Sequence, residues 1–115
     1  MSKHYNEKYP LVKAPCYAVI FTSQLSDSVE GYAEMAQQME QLAMQQDGFL
    51  GIESVRENRT GITVSYWKDE KSILQWRQQL DHQQAQSLGR ARWYESYSVQ
   101  ISRIERAYQF EKNDK

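Results

Sequence analysis

The chain has 115 residues, the usual size of one domain, which excludes a second independent core. Its hydrophobic content of 40% and charged content of 25% are typical of a globular protein, and its net charge of −1 argues against binding to nucleic acid or an anionic membrane. No apolar run approaches the roughly 20 residues of a membrane span. The single cysteine, Cys16, cannot form an internal disulfide, which favours a reducing, cytoplasmic location.

The first part of the chain predicts an arm, a strand and a helix. Residues 1–15 are mostly polar, contain both prolines and indicate an N-terminal arm. Residues 16–23 are rich in β-branched and aromatic side chains and predict the first strand. Three polar residues at 26–28 are candidate helix N-caps, and apolar residues recur at helical spacing over 29–43. Gly48 is the residue expected just beyond the helix C-terminus.

The middle of the chain predicts a β-hairpin. Residues 49–57 and 62–67 have the composition of strands, and the link between them contains the turn-forming types Asn and Gly. Alternation along the third strand gives it two different faces. One face carries Ile62, Val64 and Tyr66, and the other carries Thr63, Ser65 and Trp67.

A second helical region and a last strand complete the pattern. Asp69 can cap a helix with one apolar side, and Asp81 can start a further short helix. Residues 92–108 predict a long strand whose apolar positions change parity, so a β-bulge is expected near Ser102-Arg103. Residues 109–115 form a polar C-terminal tail.

The element order β-α-β-β-α-β is that of an α+β ferredoxin-like domain, which here comprises residues 16–108. Such a domain has a four-stranded antiparallel sheet with two helices on one face. No remaining segment is available to cover the other face of the sheet. The pattern therefore predicts a homodimer, packed sheet against sheet.

The second half of the chain carries an ordered set of short motifs. They are Gly48-Phe49-Leu50-Gly51, Ser65-Tyr66-Trp67, Trp76, His82, Gly89-Arg90, Trp93-Tyr94-Glu95-Ser96-Tyr97 and Ile104-Glu105-Arg106-Ala107-Tyr108. In this order they resemble the antibiotic biosynthesis monooxygenase (ABM) domain family. The resemblance implies a dimeric α+β barrel. It also implies oxygenation of a small aromatic or quinol-type substrate, with no cofactor and no metal.

Trp67 matches the tryptophan that closes the third strand in this family and is functional in its oxygenases. An indole there would supply stacking area and one N–H donor to a substrate. The alternative is that Trp67 fills the core between the sheet and the helices. We expect a pocket in this layer, with Trp67 in its wall.

Two further residues are candidate catalytic groups. His82 titrates nearest neutrality and could act as a base, a proton shuttle or a haem ligand, or could cap its helix. Arg90 could hold an anionic or phenolate oxygen, or could be a solvated surface residue. The substrate-binding candidates are Tyr66, Trp76, Tyr94 and Tyr97. In a regular strand Tyr94 and Tyr97 would lie on opposite faces, so only one of them is expected to line the pocket.

Three functions are compatible with the sequence. The first is the cofactor-independent monooxygenase, the second is a dimer that binds or senses a small hydrophobic or aromatic ligand, and the third is haem binding or degradation. The haem-degrading branch of the family is expected to have an asparagine in the first strand and a histidine ten positions after Trp76. This chain has Phe21-Thr22-Ser23 and Gln86 instead. The departure favours the first two functions.

Overall fold

The computed structural model describes residues 12–82 and 92–112, without the side chains of residues 81 and 82. Within these ranges the elements are β1 (Cys16–Leu25), α1 (Tyr32–Met44), β2 (Phe49–Glu57), β3 (Thr60–Trp67), α2 (Glu70–His82) and β4 (Tyr94–Ile104). The strands form one antiparallel sheet in the order β2-β3-β1-β4. The predicted α+β ferredoxin-like order is confirmed.

The start of α1 differs from the prediction. The helix begins at Tyr32 after Gly31, which has φ 84° and makes no side-chain cap. The expected cap residue Ser26 closes a turn instead, because its hydroxyl accepts a hydrogen bond from the Ser28 N–H at 3.1 Å. The same hydroxyl donates to the Arg92 carbonyl at 2.8 Å, so it fastens this turn to the segment before β4.

The loop from α1 to β2 passes close to α2 at Gly48. The helix α1 ends at Met44, before Gly48, and the Gly48 carbonyl accepts a hydrogen bond from the Lys68 N–H at 2.9 Å. A Cβ at position 48 would collide with the Ser72 side chain, in the first turn of α2. Glycine is therefore required here by the packing of the loop against α2, and not by a helix cap.

The second helix begins as predicted but does not break. The Asp69 carboxylate accepts a hydrogen bond from the Ser72 N–H at 2.8 Å, which is the expected N-cap. The helix then continues without a break through Asp81 to His82. The prediction that a new helix starts at Asp81 is therefore wrong. Residues 83–91 lie outside the described residues.

The bulge in the last strand lies at the opposite end from the predicted one. Pairing with β1 is continuous from Cys16↔Ile104 to Gln24↔Ser96, so the expected bulge near Ser102-Arg103 is absent. The register shifts instead where Leu25 pairs with Tyr94, which leaves Glu95 as the extra residue. The strand ends at Ile104, whose side chain simply belongs to the other face of the sheet.

The core lies between the sheet and the two helices. Its buried cluster joins Val19 of β1, Ala43 of α1, Trp67 of β3 and Ile73 of α2. The opposite face of the sheet carries exposed apolar side chains, with Val55 70% and Ile62 42% accessible. The proposed limits of the N-terminal arm and the C-terminal tail stay predictions.

Candidate functional site

A cavity of about 320 Å³ lies between the helix-facing side of the sheet and the two helices. Six aromatic residues line this cavity: Phe21, Tyr32, Trp76, Trp93, Tyr94 and Tyr97. The sheet contributes a floor of small hydroxyl residues, Ser54, Thr63 and Ser65. A large ring beside small floor residues leaves concave space that no neighbouring side chain fills.

The backbone explains why so many rings meet there. Phe21 has the same parity as the core residue Val19 on β1, and Tyr32 starts the inward side of α1. In β4, Tyr97 pairs with Ser23 and Tyr94 pairs with Leu25. Because the bulge leaves Glu95 without a partner in the pairing register, both phenols lie on the cavity side. The expectation of opposite faces is wrong.

These rings pack edge to face more than they stack. The ring centroid of Phe21 lies 5.5 Å from that of Tyr94 and 5.4 Å from that of Tyr97. Tyr94 also lies 5.8 Å from Tyr32, at an interplanar angle of 86°. These separations are within the favourable range for aromatic pairs, so this part of the wall is built by mutual packing of the rings.

Trp67 does not lie in the cavity wall, contrary to expectation. It is 0% exposed, stacks on Trp76 with a centroid distance of 5.0 Å, and contacts Phe49 edge-on. Its indole N–H donates to the Ser65 hydroxyl at 2.8 Å. The strand end brings this face under α2, so the large ring is covered from both sides. Trp67 thus supports the wall from behind, through Trp76 and Ser65.

Tyr66 is also absent from the wall, because strand alternation directs it to the opposite face of the sheet. Its hydroxyl donates to the Glu53 carboxylate at 2.8 Å. Burial, followed by this hydrogen bond and the charge of Glu53, raises the pKa of Tyr66 to about 12. A substrate in the cavity cannot contact this residue.

Three predicted substrate-binding residues do line the cavity: Trp76, Tyr94 and Tyr97. The Trp76 indole N–H donates to the Met39 carbonyl at 3.3 Å, which links α2 to α1. The His82 side chain and all of Arg90 lie outside the described residues, so their proposed catalytic roles stay predictions, as does haem ligation by His82.

A cluster that sequence reasoning missed lies behind one end of the cavity, where Tyr32 lines the wall and the exposed Arg56 lies outside the lining. The Arg56 guanidinium donates to the Ser23 hydroxyl at 2.9 Å and to the Tyr32 hydroxyl at 3.0 Å. It also lies 5.4 Å from the centre of the Tyr32 ring. Strand alternation could have indicated this position, because Arg56 lies on the helix-facing side of β2 together with Ile52 and Ser54.

Tyr94 adjoins this cluster, because its ring lies 5.8 Å from the Tyr32 ring at an interplanar angle of 86°. Burial is the main reason why the pKa of Tyr94 lies well above that of an ordinary tyrosine, and the interactions with Tyr32 act in the same direction. Arg56 opposes the shift but does not reverse it. The Tyr94 hydroxyl is therefore a neutral hydrogen-bond donor at physiological pH, and it is not a base.

Other site types find little support in the described part of the chain. Among those residues, no group of three or more His, Cys, Asp or Glu side chains could hold a metal ion. Neither described helix is long and apolar enough to cross a membrane. The free Cys16 is buried, and its burial raises the pKa of the thiol.

Two relatives in sequence are informative. The uncharacterized protein YqjZ of Bacillus subtilis (strain 168) is 49% identical over 100 residues, which are 86% of this chain and 88% of YqjZ. A jasmonate monooxygenase ABM of Pyricularia oryzae is 32% identical over 94 residues. That match covers 76% of this chain but only 43% of the fungal protein.

Solved structures of similar fold include SnoaB, a cofactor-independent oxygenase from Streptomyces nogalater. It matches with a TM-score of 0.66 at 11% identity, over 86% of this chain and 100% of SnoaB. A conserved protein from Methanosarcina mazei Go1 gives a TM-score of 0.69 at 16% identity, over 79% and 94% of the two chains. At these identities the likeness concerns the fold alone. The family model described as antibiotic biosynthesis monooxygenase matches residues 17–88, and this match together with the relationship to YqjZ shows that the chain belongs to the antibiotic biosynthesis monooxygenase family.

Proposed function

We propose that this chain is a cofactor-independent monooxygenase of a small aromatic or quinol-type substrate. The observation that carries the proposal is the ring-lined cavity of about 320 Å³. Its aromatic wall offers stacking surfaces to a flat ring system and keeps water away from it. Membership of the ABM family and the relationship to a jasmonate monooxygenase support the same reaction class.

In such a reaction the substrate supplies all the electrons. With naphthohydroquinone, one atom of dioxygen replaces a ring hydrogen to give a new hydroxyl, and the other atom leaves as water. The two original hydroxyls become quinone carbonyls, so hydroxynaphthoquinone and water account for every atom. The part of the protein is to orient the ring, exclude water and stabilise the charge on its oxygen.

The test is oxygen uptake by the purified protein with a panel of hydroquinones in labelled dioxygen. We expect stimulated uptake and one labelled oxygen atom in the ring product. Spontaneous oxidation gives the simple quinone and hydrogen peroxide without ring labelling, so heat-denatured protein provides the blank. Uptake equal to the blank for the whole panel would contradict the proposal.

A second candidate function is a non-catalytic dimer that binds or senses a small hydrophobic or aromatic ligand. Two observations favour it: the described part of the cavity wall contains no histidine, and its Tyr94 hydroxyl is held neutral. Saturable binding of a hydroquinone with no oxygen uptake would support this function. A cytoplasmic location stays a prediction for either function.

We further propose that the chain forms a homodimer through the sheet face opposite the cavity. Val55 and Ile62 pair across β2 and β3 on this face and are exposed. Burying this apolar surface against a second copy would be favourable. Sedimentation equilibrium at micromolar concentration should give a dimer, and a monomer of 13.6 kDa would contradict the proposal.

A further inference from the structure

We infer that one end of the cavity, where Tyr32 and Tyr94 line the wall and Arg56 is bonded to Tyr32 from outside the lining, is an anion-recognition site that selects ring-bearing ligands with one ionised oxygen. This inference rests on the proposed function only for the statement that the bound ligand is a substrate. We call these three residues the anion end. The site is built from three different elements, β2, α1 and β4, so its geometry belongs to the folded domain and not to one local motif.

The first step is the fixed position of the positive charge. Arg56 donates to the hydroxyls of Ser23 and Tyr32 from one nitrogen and to the Arg59 carbonyl, at 3.0 Å, from the other. Three fixed acceptors hold the guanidinium plane in one orientation. Its charge therefore lies next to the Tyr32 hydroxyl, at the 3.0 Å distance of their hydrogen bond.

The second step is a count of protons. The hydroxyls of Tyr32 and Tyr94 each carry one proton, and both residues line the cavity. Arg56 can only donate, so it occupies a lone pair of Tyr32 and consumes no hydroxyl proton. Even when one phenol donates to the other, one O–H remains that can point to a ligand oxygen.

The third step compares this end with the hydroxyl floor. Ser54 and Thr63 are hydrogen-bonded to each other at 2.8 Å, and the Ser65 hydroxyl accepts from the Trp67 indole. Among the described residues, no cation is bonded to these three hydroxyls. The anion end combines a phenol donor with a guanidinium one hydrogen bond away. The cavity wall also contains two charged residues of opposite sign, Arg77 and Glu40. Because charge-assisted hydrogen bonds are about twice as strong as neutral ones, an ionised oxygen should bind there in preference to a neutral carbonyl.

The test measures affinity by calorimetry for two matched pairs of ligands that cannot be oxygenated. One pair is naphthoate and naphthamide, and the other is dinitronaphtholate and its neutral methyl ether. We expect the wild-type protein to bind each anion about tenfold more tightly than its neutral partner, a difference of about 1.4 kcal/mol. A preference for only one anion also supports the inference, and it identifies the ligand oxygen as a carboxylate or a phenolate.

Three variants should remove this preference while neutral ligands still bind. Arg56→Met deletes the charge, and Tyr32→Phe deletes the hydroxyl that connects the charge to the ligand. Each should reduce the tenfold ratio to about twofold or less. Gly61→Ala keeps every charge, but its new Cβ would occupy the space of the Arg56 guanidinium and displace this flexible group. It should reproduce the Arg56→Met result. Arg103→Met removes an exposed arginine from β4 outside the cavity wall and should leave the ratio unchanged.

Urea unfolding of each variant separates a lost site from a lost fold, and Arg56→Lys provides a further measurement if Arg56→Met does not fold. The inference is overturned if the wild-type protein prefers neither anion. Equal weakening of anionic and neutral ligands by Arg56→Met would also overturn it. Neither result concerns oxygen uptake, so a protein that oxygenates hydroquinones without preferring anions would retain the proposed function and lose this inference.

Discussion

At one end of the ring-lined layer, Trp67 stacks on Trp76 and its N–H is bonded to the buried Ser65 hydroxyl. At the anion end, Tyr32 and Tyr94 line the cavity, and the Tyr32 hydroxyl accepts a hydrogen bond from Arg56. Both ends consist of large aromatic residues. They differ in whether the polar atoms of those residues are committed to other protein groups. The comparison indicates that the Trp67 end maintains the fold, whereas the anion end is available to a ligand.

The largest expected effect is at the closed end. Trp67→Ala leaves a cavity in the core and should lower the free energy of unfolding by about 3–5 kcal/mol, as measured by urea denaturation. Tyr66→Phe, one residue away on the other face, provides the control and should cost only about 0.5–1.5 kcal/mol through its lost hydrogen bond. A small stability change for Trp67→Ala, together with selective loss of ligand binding, would instead make Trp67 a ligand-contact residue.

Next in size is Gly48→Ala. The added methyl group would meet Ser72, and this overpacking should cost about 1–3 kcal/mol of unfolding free energy. Because the collision involves one named side chain, Ser72→Gly in the same protein should recover part of the loss. Additive effects in this double-mutant cycle would show that the two residues do not interact.

At the anion end, Tyr94→Phe should cost only about 0.5–1.5 kcal/mol, because Tyr32 keeps its bond from Arg56. The effect should depend on pH. The folded-state pKa of Tyr94 is raised, so its contribution is fully present below the unfolded pKa of about 10 and is lost as the pH rises through the folded value. Unfolding free energies of the wild-type and variant proteins should therefore converge in alkali, and a difference that grows above pH ~10 would contradict this assignment.

The smallest effect is expected at the N-cap of α2. Hydrogen bonds from Ser72 lower the pKa of Asp69, so the stability that the charged carboxylate confers is present above the unfolded pKa of about 3.9 and is lost as the pH falls. Asp69→Asn keeps a capping oxygen and should change the melting temperature only slightly at neutral pH. Its melting temperature should approach that of the wild-type protein on acidification.

The sequence predicted the elements better than it predicted the site. Strand alternation correctly separated Tyr66 from Trp67, and the Asp69 cap was correct, because both depend on neighbouring residues alone. Alternation does not, however, reveal how deeply a helix covers a given strand end. The family resemblance and the small same-face neighbours Thr63 and Ser65 both predict Trp67 in the cavity wall, but the ring is completely buried.

The anion end was missed for a related reason. Arg56 lies between Val55 and Glu57 at the exposed end of β2 and has the pattern of a solvated residue. Its partner Tyr32 is 24 positions away in sequence. Regular alternation places Tyr94 and Tyr97 on opposite faces, because it assumes that no bulge lies between them. The apolar pattern predicts the bulge near Arg103 instead. These features depend on contacts between distant segments, which periodicity does not report.

The bulge at Glu95 also bears on how this family can vary in length. Since Glu95 is outside the pairing ladder, a chain that lacks it would still pair Tyr94 with Leu25 and Tyr97 with Ser23. Deletion of Ser98, inside the unbroken ladder, would instead shift the pairing of Tyr97 by one residue and turn its phenol out of the cavity. Two deletions only three positions apart would then differ in effect. Deletion of Glu95 would leave the cavity wall unchanged, whereas deletion of Ser98 would remove the Tyr97 phenol from it.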